Sequence, residues 1–254
     1  MWFEHVKECI QKVDGDIALL VKNLATGEIF SHQSDVVFPS ASTIKVPILV
    51  SLFDACAQGK FDINAPAPIP SGEVAGGCGI IQLLSEEIPF TLLDHAKMMI
   101  VLSDNAATNQ LISMLGIDEV NATCQKYGLK DTVLGRKMMD FEAKMQGLDN
   151  FTSAHDMLAI FELLHQNSEQ YAGALQILKM QMLNDLLSTY TNRGSYAFAH
   201  KTGELPGVRH DVGIMYLDEP IFVAFLSKNL SDEFAGIRLA NELGALIYNA
   251  FNTK

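Results

Sequence analysis

No run in this chain approaches the ~18 consecutive apolar residues of a membrane-crossing helix, so a membrane span is excluded from the reading. Basic charge is also scarce: 18 Lys and Arg stand against 30 Asp and Glu, a formal net charge of -12. That balance argues against nucleic acid and against anionic membrane surfaces, both of which need a basic face. An anionic substrate must therefore be met by a local cationic pocket. The four cysteines, Cys9, Cys56, Cys78 and Cys124, include no Cys-x-x-Cys and read as free, mostly buried thiols. The seven histidines show no His-x-x-x-His or Glu-paired spacing, so neither a metal nor another cofactor is expected. The start, Met1 to Lys7, lacks the basic and apolar regions of a signal peptide. As written, the chain is expected to be cytoplasmic; it is extracellular or in the cell envelope if a leader has been removed. No internal repeat is visible.

What is present is ordinary for a globular protein: 254 residues, 48% hydrophobic and 19% charged. Apolar spacing predicts a first helix over Phe3–Val13. A hairpin follows, with strands Ile17–Val21 and Glu28–Ser31 joined by Asn23–Gly27. A helix runs to about Ala57, where Gly59 stops it. Asn64–Gly79 is rich in Pro, Gly, Ala and Ser and reads as a connection. Helices are then expected over Thr91–Leu102, Ala106–Leu115, Ile117–Tyr127, Ser153–His165, with Ser153 as N-cap, and Tyr171–Leu187. The Met98-Met99 and Met138-Met139 pairs read as core. Strands return at Ala197–Lys201, Val212–Leu217 and Ile221–Ser227. A closing amphipathic helix spans Ser231–Phe251, its apolar stripe on Phe234, Ile237, Ala240, Leu243, Ile247 and Phe251. Strands at both ends with helices between them predict one antiparallel sheet built from both termini, with an inserted helical subdomain.

Three short motifs carry chemistry. Ser42-x-x-Lys45 lies where a turn runs into an apolar helix, so residues three apart share a face and the Lys45 amine can approach the Ser42 hydroxyl. A serine hydroxyl needs such a base to become a nucleophile. Unpaired N–H groups at the helix start can hold a developing oxyanion. One Ser-x-x-Lys is expected by chance, roughly, in a chain of this composition. Ser103-Asp104-Asn105 and then Lys201-Thr202-Gly203 follow it in order, and the ordered set is far less accidental.

With these three motifs the chain resembles the class A β-lactamase and penicillin-binding protein superfamily, the penicillin-recognising serine hydrolases. Phe38–Pro47, Ser103–Asn109 and His200–Gly213 carry the likeness, which spans Phe3 to Phe251. The resemblance implies an α/β two-lobed serine β-lactamase-like fold, an antiparallel sheet flanked by helices plus an all-α subdomain. Residues 1–59 and 191–254 are expected to form the α/β lobe and 60–190 the all-α lobe, with the site between them. It implies that Ser42 is acylated, with Lys45 as base and Ser103 relaying a proton to the leaving nitrogen. The N–H groups of Ser42 and Glu204 are expected to form the oxyanion hole, and Asn105 to bind the substrate's side-chain amide. Lys201 and Thr202 receive its carboxylate, Gly203 keeps the strand edge open, and Arg209 adds a second anchor or else forms a sheet-surface ion pair. His210, Asp211 and His200 are read as structural. The implied partner is a small β-lactam, or a D-alanyl peptide or ester.

The deacylation step departs from the family pattern. A glutamate followed by Pro is expected between Leu134 and Ser153, and none is there. Glu142, with Gln146 four residues on, is the nearest substitute, and Asp140 is a second candidate. Without such a base, Ser42 acylates and releases its product slowly. That is the behaviour of a penicillin-binding protein, DD-peptidase or esterase, or of a covalent β-lactam sensor that does not turn over.

Overall fold

The computed structural model describes residues 2–70, 72–85 and 88–252. Helix α1 (Trp2–Ile10) leads into strands β1 (Asp16–Asn23) and β2 (Ile29–His32). A short strand β3 (Phe38–Pro39) and a 3-10 turn, Ala41–Ile44, precede helix α2 (Lys45–Ala57). The helices α3 (Leu92–Val101), α4 (Asn105–Leu115), α5 (Ile117–Lys126) and α6 (Phe141–Met145) follow. Next come strand β4 (Phe151–Thr152) and helices α7 (Ala154–Gln166) and α8 (Ala172–Lys179). Strands β5 (Ala197–Leu205), β6 (Val208–Tyr216) and β7 (Pro220–Lys228) and helix α9 (Glu233–Phe251) complete the order.

The large sheet runs β2-β1-β7-β6-β5, antiparallel throughout, so the strand nearest the start pairs with one near the end. Leu19 lies opposite Phe225 and Lys201 opposite Val212. Alternation along β1 sorts its side chains between two cores. Ala18 and Leu20 join the cluster that includes α2, α3, α4, α5, α7 and α8, while Ile17, Leu19 and Val21 pack with α1 and α9. Both faces are covered, which is why β1 and β7, and β6 from Val212 onward, read as nearly continuous apolar runs.

Several sequence expectations change. The helix expected over Tyr171–Leu187 stops at Lys179. Beyond it, Gln181 captures the chain locally: its Oε1 accepts the Leu183 N–H (3.0 Å) and its carbonyl accepts Asn184 Nδ2–H (2.8 Å). The Met182 N–H turns instead to the Val101 carbonyl. Strands β5 and β6 are longer than their apolar runs, because ladder pairing carries Thr202 to Leu205 and Val208 to Asp211 into the hairpin. Phe234 is exposed at the first turn of α9, and Gly236, Leu239 and Gly244 share the buried face with Ala240, Leu243 and Ile247. Cys9 and Cys124 are buried, but Cys78 is exposed. Met99 is core, whereas Met139 is exposed with φ 61° on a turn. Ser153 caps α7 as expected, accepting the Asp156 N–H.

Candidate active site

Ser42 sits in the 3-10 turn that feeds α2, one residue after Ala41, whose φ of 46° is unusual for a residue with a Cβ. The turn is anchored on both sides. Ser40 N–H donates to the Asn150 carbonyl (2.9 Å), and His210 Nε2–H donates to the Pro39 carbonyl (2.7 Å). The Ser227 N–H donates to His210 Nδ1 at 3.1 Å, so the buried ring is neutral, and burial holds its pKa down to about 4. Gly203 on β5 passes close by: a Cβ there would lie 3.1 Å from Ala41 Cβ and 3.2 Å from Ser42 N. A side chain there would push the turn away by a few tenths of an ångström, so glycine suits this close approach of strand and turn. Among the described residues, the Ser42 hydroxyl has no hydrogen-bond partner.

Lys45 opens α2 and is wholly buried. Its amine donates to the Ser103 carbonyl (2.8 Å), the Ser103 hydroxyl (3.1 Å) and Asn105 Oδ1 (3.0 Å). The i, i+3 spacing thus sets Lys45 on the Ser42 side of the turn, but its hydrogen bonds run to the second motif. Ser103 holds φ 54°, the second left-handed non-glycine residue at this site, and such strain persists where surrounding contacts fix it. Asp104 supplies those contacts: it caps α4 through the Ala107 N–H, and its other oxygen accepts from Ile80 and Ile81 N–H (2.7 and 2.9 Å). Asn105 donates from Nδ2 to the Gly76 carbonyl.

Lys201 is equally buried and donates to the Thr202 carbonyl at 2.9 Å. Burial holds the Lys45 amine well below the ordinary lysine range, and the nearby Lys201 charge adds to the effect. Burial likewise pushes Lys201 down to about 7, against opposing pulls from Cys78 and Asp211. Two neighbouring lysines, both shut away from water, cannot both keep their protons cheaply.

The cleft has two arms that meet at Ser42, Cys78 and Glu204. One, of about 430 Å³, is lined by Ser103, Thr202, Gly203, Arg209 and the wall 182–186. Arg209 is largely occupied: one nitrogen donates to the Leu205 and Val208 carbonyls, and the other pairs with Glu233 (2.6 Å) and Glu204 (3.0 Å). The other arm, of about 380 Å³, is lined by Asn105, Met138, Met139, Phe141, Lys144 and Asp149.

Glu142 does not belong to this constellation. It is exposed, and neither arm includes it. Asp140 is used as the N-cap of α6, accepting the Ala143 N–H. This cap orients the single helical turn so that Phe141 and Lys144, three apart, face the cleft while Glu142 faces away. Asp149 accepts the Asn150 N–H (2.9 Å) and is paired with Arg136 (2.8 Å) and Lys144 (3.4 Å), and against its burial these hold its carboxyl below the usual range. Asn109 pins the loop by bonding Met138 through both its backbone groups. Cys78, Met138, Met139 and the 182–186 wall were not singled out as site residues from sequence. Each arrives through loop packing and carries no spacing signal. Among the described residues, no group of three or more His, Cys, Asp or Glu side chains is placed to hold a metal ion, and no helix is long and apolar enough to cross a membrane.

A family model described as "Beta-lactamase enzyme family" matches residues 3–251. Among solved structures, a β-lactamase from Sphaerobacter thermophilus DSM 20745 is 26% identical, with 98% of this chain and 96% of that chain covered and a TM-score of 0.89. PBP-A is 27% identical over 98% of this chain and 95% of its own, TM-score 0.88, and a point mutant of it is an acyl-enzyme complex with penicillin-G. A β-lactamase from Chitinophaga pinensis DSM 2588, 18% identical over 99% of both chains, shares the fold at a TM-score of 0.90. A comparison with curated proteins finds no match.

Proposed function

The chain belongs to the beta-lactamase enzyme family and is a serine hydrolase of that type, and from this premise we propose that it opens β-lactam amides by acylation of Ser42. The observation that carries the proposal is the pair of buried lysines: Lys45 lies on the Ser42 turn, with an amine that burial and Lys201 hold well below the ordinary range. Neutral Lys45 takes the Ser42 proton as Oγ attacks the lactam carbonyl. The N–H groups of Ser42 and Glu204 receive the developing oxyanion across the gap that Gly203 leaves open. Ser103, 3.1 Å from the Lys45 amine, passes a proton to the departing nitrogen, so the C–N bond breaks as the Ser42 ester forms. Asn105 meets the substrate's amide. Thr202, backed by Lys201, meets its carboxylate, with Arg209 close to the same arm.

A second reading concerns the ester's fate. On the arm where the loop 134–150 meets the cleft, Met138 and Met139 line the space, and of the carboxylates there Asp149 is tied into two ion pairs and Glu204 into one with Arg209. That environment favours a long-lived acyl-enzyme, as in a hydrolase acting on D-alanyl peptides or esters or in a β-lactam sensor. A chromogenic cephalosporin and a penicillin, followed by absorbance and intact mass, separate these outcomes. We expect one acyl group on Ser42, accumulating during slow turnover, with Ser42→Ala lowering acylation by at least about a thousandfold. A folded protein that takes up no acyl group overturns the proposal.

A further inference from the structure

The wall 182–186 bounds one arm of the cleft, yet it is not itself part of a helix or strand. Its supports come from elsewhere. On β5, next to Lys201, the His200 ring is 1% exposed and its two nitrogens face two acceptors. Nδ1 meets Asp211 Oδ1 at 2.7 Å and Nε2 meets Asn184 Oδ1 at 3.0 Å. The orientation of the Asn184 amide is fixed independently, because its Nδ2 donates to the Gln181 carbonyl. The second oxygen of Asp211 accepts the Leu187 N–H at 3.2 Å. The Phe198 ring stacks on His200 at 4.0 Å and 6°, which fixes the plane of the imidazole. A single buried pair therefore reaches the wall at two points, residues 184 and 187, from two adjacent strands.

A histidine that only filled the core could bond any nearby carbonyl. His200 instead bonds a side chain that itself lines the substrate arm, and it does so from the position beside Lys201. We propose that His200, oriented by Asp211, is a positioning residue that fixes the 182–186 wall, and through it the binding of substrate in this arm. The functional half of this inference rests on the reading that substrate is bound in the cleft and acylates Ser42.

The test compares the wild type, His200→Ala, Asn184→Ala and the double variant in two measurements. Hydrogen exchange followed by mass spectrometry reads the amides of 182–187 directly and needs no substrate. Acylation by a chromogenic cephalosporin, followed over concentration, separates the binding constant from the limiting acylation rate. In each single variant, exchange across the wall rises about tenfold and binding weakens by a similar factor, with the limiting rate within about twofold, as for loss of one buried hydrogen bond. The double variant is no worse than Asn184→Ala, which also gives up the Gln181 bond, since the same His200–Asn184 tether is cut in both single variants. Asn184→Ala leaves the sheet untouched and decides the matter if His200→Ala fails to fold. Unchanged exchange in the wall, multiplying effects, or a fallen limiting rate with unaltered binding each overturn the inference. A wild type that is never acylated sinks the function proposed above, while the exchange measurement still decides whether His200 holds the wall.

Discussion

Lys201 is a residue whose usefulness conflicts with its burial. Its pKa of about 7 in the folded chain lies far below the 10.5 of a free lysine. Between those values the unfolded chain binds more protons than the folded one, so stability rises with pH across that window, and at or below pH 7 this lysine opposes folding most strongly. Lys201→Met is therefore expected to stabilise the fold by about 2–4 kcal/mol near pH 6.5, a rise of about 5 °C or more in Tm. The advantage shrinks towards pH 10, and acylation by carboxylate-bearing β-lactams weakens in the variant. Thermal unfolding of both proteins from pH 6 to 10 checks this; a difference that ignores pH sinks it. Ser42, Lys45, Ser103 and Lys201 stand out in the sequence as candidates because the chemistry proposed for them needs fixed residue types at short fixed spacings. Glu142, which the structure leaves exposed and outside the lining of both arms, shows the opposite case. Nothing in its spacing reports which way a five-residue helix turns, and the Asp140 cap decides that.

At the scale of elements, α4 shows how a site is held by a helix start. Asp104 is 1% exposed and receives three backbone N–H groups, one from its own helix and two from the 76–81 loop that carries Cys78 into the cleft. Gly79, with φ 109°, lets that loop pass: a Cβ there would collide with Asp104. Asp104→Ala removes a cap worth about 1 kcal/mol and strands two more donors, so a loss of about 2–4 kcal/mol is expected. Urea unfolding measures it, and a loss under about 1 kcal/mol contradicts this account of the helix start. Helices and strands with clean periodicity, such as α3, α7 and β7, lie within a few residues of their expected places. The misread segment after Lys179 has helical composition, but side chain to backbone bonds at Gln181 and a tertiary bond to Val101 outcompete the helix. Such competition is invisible to local pattern.

At the scale of the molecule, the cleft wall is also fastened from the far side of the sheet. Asn241 on α9 donates to the Asp185 and Leu186 carbonyls, both at 2.8 Å, and Gly244 one turn on packs directly against the Leu187 carbonyl. A side chain at position 244 has no room there. Gly244→Ala is expected to cost about 1–3 kcal/mol through overpacking. It is also expected to loosen the 182–187 amides in hydrogen exchange, although residue 244 lies outside the cleft. A variant as stable as the wild type with unaltered exchange refutes the coupling. The sheet from both termini was foreseeable, since strand patterns cluster at the two ends; the link from α9 through the wall to the cleft was not, since it depends on a backbone contact made by a residue with no side chain.

The pairing of β1 with β7 has a consequence in time. A ribosome delivers Ser42 and Lys45 long before β5 brings Gly203 and Lys201, and β1 waits for β7 to gain its central neighbour. Through most of synthesis the proposed nucleophile therefore lacks Lys201 beside Lys45 and the β5 edge beside its backbone N–H. On the proposed mechanism, reactivity is expected only once β5 and β7 have emerged, with the same long-range closure that completes the sheet.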